Sequence, residues 1–99
     1  MLQLQIKSDS TNIETDQNLV KAAIASEVKN LKRALAKTEH IIQEFETKYQ
    51  ISSDYFLDNW TAEDLENGDD EYITWFGELQ MKTKLLESLE KLEGIEYVT

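Results

Sequence analysis

His40 stands alone among the residues that could do chemistry, since the chain has no second histidine and no cysteine. That removes disulfides, thiolate zinc sites, iron–sulfur clusters and cysteine nucleophiles. A lone helical histidine between Glu39 and Ile41 reads as a surface residue and receives no role. Carboxylates are abundant, and the run from Glu63 to Glu71 sets a glycine among acids and an asparagine, as a calcium loop does. Aligning Gly68 with the loop glycine of an EF-hand puts Leu65 at the third position, which needs oxygen, and Thr74 at the twelfth, which needs glutamate. The register fails, and helix capping plus solubility explains the run better. Ser52, Ser53 and the threonines lack the glycine-flanked strand-to-helix turn of a hydrolase nucleophile, and there is no phosphate-cradling glycine loop. No catalytic residue, cofactor or metal is therefore assigned, and the chain is expected not to be an enzyme. A carboxylate-dependent metal enzyme is the catalytic class left for metal analysis of the purified protein to test.

The aromatic residues carry more information. Eight of the nine fall between Phe45 and Phe76. They read either as a core plug where a connecting helix folds over the tip of a hairpin, or as a docking surface inside an acidic rim. On the second reading the candidate partner-binding residues are Tyr55, Trp60, Asp69, Asp70, Glu71 and Tyr72.

The elements that position these residues are mostly helical. Ile24, Val28, Leu31, Leu35, Thr38, Ile42, Phe45 and Tyr49 alternate spacings of four and three without a slip, the seam of a helix that lies along another helix. A second, broader stripe follows in Tyr72, Trp75, Phe76, Leu79, Leu85, Leu86, Leu89 and Leu92. The first helix is predicted over about residues 16–49 with Asp16 as N-cap, Thr11 and Thr15 being earlier alternatives; its length would be about 50 Å. A short helix is predicted over about 53–67, capped by Ser52 or Ser53 and stopped by Asn67-Gly68, with a restart at Thr61 as the alternative. The last helix is predicted over about 70–93. Within it Gly77 costs about 1 kcal/mol relative to alanine, which predicts close approach of a backbone or bulky ring. Gly94 is expected to end this helix in a left-handed conformation.

Leu2, Leu4 and Ile6 alternate with polar residues, so a strand is predicted over 2–7, and Ile95 to Val98 reads as another over 95–98. These terminal strands are expected to pair with each other, within one chain or between two. Ser8 to Asp16 reads as polar loop.

Three segments in order, Ile51-Ser52-Ser53-Asp54-Tyr55-Phe56-Leu57, then Asp69-Asp70-Glu71-Tyr72-Ile73-Thr74-Trp75-Phe76-Gly77-Glu78, then Leu92-Glu93-Gly94-Ile95, give the chain a resemblance. It resembles a group of small uncharacterised prokaryotic helical proteins of roughly this length. In that group a serine-capped short helix precedes an acidic patch, a Trp-x-Gly-Glu segment and a leucine-rich final helix. Such proteins often occur beside small toxin-like proteins, so the resemblance implies an antitoxin or partner role. The chain lacks the DNA-binding arm or helix-turn-helix that many antitoxins carry.

The 99 residues have a formal charge of −10 and 40% apolar content, which fits one soluble domain spanning residues 1–99. No apolar run reaches the roughly 20 residues that span a bilayer. No basic amino-terminal region leads into an apolar stretch, so a cytoplasmic protein without export signal or membrane partner is expected. Residues 50–99 carry thirteen acids against three lysines. That field repels phosphate backbones, making direct nucleic-acid binding unfavourable, and attracts basic partners. The fold class expected is all-α with minor β: a long antiparallel helical hairpin with a short connecting helix and short terminal strands, completed by homodimerisation into a four-helix arrangement. The function expected is a small acidic protein–protein interaction module, the antitoxin-like partner of a small basic protein. The alternative is a scaffold coiled-coil protein with no toxin partner.

Overall fold

The computed structural model describes residues 2–7 and 12–98. Its elements run β1 Gln3–Gln5, α1 Ile13–Tyr49, α2 Ser53–Asn59, a 3-10 turn at Ala62–Asp64, α3 Asp69–Glu93 and β2 Glu96–Val98. The chain is thus mostly helical, with two short strands. Residues 8–11 of the predicted amino-terminal loop, including the alternative cap Thr11, lie outside the described residues.

Helix α1 begins earlier than Asp16 because Asn12 caps it, its Oδ1 accepting the Thr15 N–H at 3.2 Å. Asp16 instead joins Glu14 in the first turn, where carboxylates favour the amino-terminal dipole. The helix stops at Gln50, which is left-handed at φ 55° and whose side-chain amide donates to the Thr47 carbonyl at 2.7 Å.

The helix expected over 53–67 is shorter and divided. Ser52 caps α2 by accepting the Tyr55 N–H at 3.1 Å, but the backbone turns extended at Trp60. There Thr61 starts the 3-10 turn, its N–H donating to Asp64 Oδ2 at 2.8 Å. A local cap therefore outcompetes continuation of the helix. Gly68, at φ 53°, makes the left-handed step into α3, a conformation that costs any other residue type more.

Two glycine expectations are corrected. A Cβ at Gly77 would meet nothing within 4 Å, so among the described residues no other element brings a backbone or ring against it. Gly94 is not left-handed: at φ −92° it continues the helical hydrogen bonding, its N–H donating to the Glu90 carbonyl at 3.1 Å.

All eight predicted α1 seam positions are buried or half-buried, with Thr38 and Ile42 buried outright. On α3 the inward line is Glu71, Trp75, Glu78, Lys82, Leu85, Leu89 and Leu92, every one buried or half-buried, at alternating spacings of four and three. Phe76 and Leu86 of the predicted stripe are exposed instead, because 3.6 residues per turn carries them off that line. Cross-helix pairs include Lys32 with Glu93, Phe45 with Trp75 and Tyr49 with Glu71.

The termini meet as a two-stranded parallel sheet, with Gln3 level with Glu96, Leu4 with Tyr97 and Gln5 with Val98. Each strand covers three residues rather than the longer spans predicted. Two bonds flank the ladder: Glu96 N–H donates to the Leu2 carbonyl at 2.9 Å, and Ile6 N–H to the Val98 carbonyl at 3.1 Å.

Candidate functional site

The features that could matter for function gather where α1, α2 and α3 meet. Trp75 and Phe56 are fully buried, each worth about 2–3 kcal/mol by burial. Their rings stack at 3.9 Å between centroids, and Phe45 stacks on Trp75 at 5.2 Å. Leu65 completes the buried cluster, with Tyr49, Ile51, Trp60, Tyr72 and Leu79 packed against it. Aromatic rings from α1, α2 and α3 thus meet at the junction.

Polar groups lock this cluster. The Trp75 indole N–H donates to Ser53 Oγ at 3.0 Å. Ser53 in turn donates both its hydroxyl and its backbone N–H to Glu46 Oε2, each at 2.9 Å. The α1 carboxylate therefore holds the first turn of α2 and, through it, the central ring of α3. A buried indole N–H needs such an acceptor.

Glu71 forms the second lock. Its carboxylate accepts the Tyr49 hydroxyl at 2.8 Å, the Asn67 N–H at 2.8 Å and the Lys48 ammonium at 3.1 Å. Lys48 also reaches Glu66 at 3.1 Å, and the Glu66 N–H donates to the Tyr49 oxygen at 2.9 Å. Burial pushes the Glu71 carboxyl up, but hydrogen bonds from Asn67, Tyr49 and Lys48 outweigh it and hold the group below the usual carboxylate range. Burial raises the Tyr49 phenol, opposed by the Glu66 N–H and assisted by the Glu71 charge. Hydrogen bonds to Glu66 and then Glu71 raise the Lys48 ammonium against the cost of desolvation. A carboxylate with its lone pairs so occupied and its affinity for protons lowered is poorly matched to general-base work near neutral pH. Its chemistry is that of a clamp.

The six residues singled out in the sequence divide between the two sides of this cluster. Glu71 is buried and faces inward, while Tyr72 and Trp60 are half-buried against the core. Trp60 meets Tyr49 edge-on at 5.4 Å, and Tyr72 packs on Phe56 at 5.3 Å. Tyr55, Asp69 and Asp70 are exposed. His40 lies on the outer side of α1, its imidazole 2.8 Å from Glu44. Sequence reading missed Glu46 and Lys48 as members of the junction and placed Glu71 on the partner-facing rim, whereas it faces inward. For Glu71 a signal existed, because it lies one turn before Trp75 and so on the same side of α3.

No family model, curated protein or solved structure matches this chain.

Proposed function

We propose that the chain is a small acidic protein–protein interaction module: an antiparallel helical hairpin that self-associates and offers its acidic junction to a small basic protein, as an antitoxin does to a toxin. The observation that carries this reading is the exposed outer layer of the junction. Tyr55 is 51% exposed, Asp54 and Asp58 flank it on α2, and Asp69 and Asp70 stand at the start of α3. The Phe56–Tyr72 contact brings those two elements to the same end of the molecule. An aromatic anchor among charges is suited to a partner of opposite sign. The antiparallel arrangement is supported by the cross-helix pairs, whose numbers rise along α1 from Lys32 to Tyr49 as they fall along α3 from Glu93 to Glu71. Self-association is supported by large apolar groups left in water, among them Leu19, Ile73 and Met81.

Affinity capture of the tagged protein from its native cells tests this, run beside the Asp54→Asn/Asp69→Asn double variant. One stoichiometric basic partner is expected with the parent chain, and slower, less salt-dependent association with the variant. Capture of no basic protein would favour the second reading, a scaffold coiled coil. That reading draws on α1, whose 37 residues run without a break.

A further inference from the structure

The outward side of α3 has a symmetry of residue types about Gly77. Four residues before it stands Ile73, 68% exposed, and four after it Met81, 48% exposed. Seven before it is Asp70 and seven after it Lys84, both exposed and neither in an ion pair within the described chain. Offsets of four and seven return to nearly the same side of a helix. Asp70, Ile73, Gly77, Met81 and Lys84 therefore form one exposed line, about a third of a turn around the helix from the line that meets α1. At its centre nothing within 4 Å would touch a Cβ on Gly77, so the chain keeps its weakest helix former at a place where its own packing makes no use of the missing side chain.

We propose that this face binds α3 of a second copy of the chain, the two helices crossing antiparallel with the two Gly77 residues at the twofold axis. The inference rests on the self-association put forward above and assigns it a surface and a geometry. In a twofold antiparallel pairing centred on residue 77, a residue n places before the centre stands opposite the residue n places after it. Ile73 of each copy then faces Met81 of the other, and Asp70 of each faces Lys84 of the other. Two apolar contacts and two opposite-charge pairs result from one symmetry operation. A parallel pairing would instead set Asp70 against Asp70 and Lys84 against Lys84, which like-charge repulsion disfavours. The central glycines allow the backbones to approach closely, as small residues do at tight helix crossings. Neither the Trp75 cluster nor the Glu71 clamp takes part, so association and folding rest on different residues.

That separation defines the experiment, which is sedimentation velocity on the full-length chain over a concentration series, with urea unfolding of each variant in parallel. Gly77→Ala is expected to unfold at higher urea when compared at concentrations where both chains are monomeric, yet to dimerise more weakly. Gly77→Leu should weaken dimerisation by about tenfold or more, through a clash at the axis. Asp70→Lys and Lys84→Asp should each weaken it by about tenfold, and the two together in one chain should restore it, because the pairing is then inverted but complementary. A parent chain that stays monomeric at roughly 100 μM would overturn self-association itself, and this interface with it. A dimer that persists unchanged in Gly77→Leu and in both single charge variants would leave self-association standing on another surface and overturn the Gly77-centred interface alone.

Discussion

The two ends of the helical pair are built on opposite principles. At the junction, three helices surround two fully buried rings, and a buried carboxylate has three donors. At the far end, Leu19 is 71% exposed, the strands are three residues long, and Lys21 of α1 lies 5.0 Å over the Tyr97 ring. The molecule measures 63 Å along its longest axis and 21 and 19 Å across, so the ends are too far apart to support each other directly. A shape of that kind concentrates stability where elements converge and leaves the remainder to fray. The difference teaches that the junction is the folding anchor, its inner layer holding the helices while Tyr55, Asp69 and Asp70 of its rim stay exposed.

Breaking the anchor should have the largest effect. Trp75→Ala removes the ring that stacks on both Phe56 and Phe45 and leaves the Ser53 hydroxyl without its indole donor. A loss of about 3–5 kcal/mol is expected by urea unfolding. Next comes Glu71→Gln, which keeps the volume but discards the charge that Lys48, Tyr49 and Asn67 address. About 1–3 kcal/mol should be lost. Tyr49→Phe removes the hydroxyl bridge between Glu71 and the Glu66 N–H, and about 1–2 kcal/mol is expected from it.

Acid and alkali sharpen the same contrast. Glu71 in the folded chain is held below its ordinary value of 4.5, so the unfolded chain takes up the proton first. Its contribution is complete above that value and is lost as pH falls through the folded one. Lys48 is displaced upward from 10.5; its contribution is complete below 10.5 and fades as pH rises beyond it. Urea midpoints measured across pH should therefore fall at both extremes, and the acid limb should flatten in Glu71→Gln. At the far end, Lys21→Ala should cost less than about 1 kcal/mol, since a single exposed cation–π contact is all it removes.

How much of this the sequence made legible follows the same division. The α1 seam could be read because an unbroken four-three alternation of apolar residues has one structural solution. Ser52 as a cap was legible from turn chemistry, whereas Gly68, expected to stop the short helix, instead leads into α3. On α3, Tyr72, Trp75, Leu79, Leu85, Leu89 and Leu92 were legible, but apolar pattern alone also counts Phe76 and Leu86 and passes over Glu71, Glu78 and Lys82. Charged residues enter a seam when a partner from another element satisfies them or when their aliphatic stems pack. Such partners are set by the tertiary fold: Lys48 and Tyr49 lie more than twenty residues before Glu71. The division of the 53–67 segment at Trp60 turned on one competing cap, which local pattern offers only as an alternative. Of the candidate site, the exposed Tyr55, Asp69 and Asp70 were legible as a charged aromatic surface, whereas for Glu71 its place one turn before Trp75 marked the side it faces but not the partners that hold it there.

Native-state hydrogen exchange, resolved by residue, tests the anchor most directly. The slowest amides are expected at Phe56 and from Trp75 to Leu79, exchanging near the rate of global unfolding, with protection falling steadily along α1 toward Ile13 and lowest in β1 and β2. Uniform protection along both long helices, or slower exchange at the strand end than at the junction, would contradict the account.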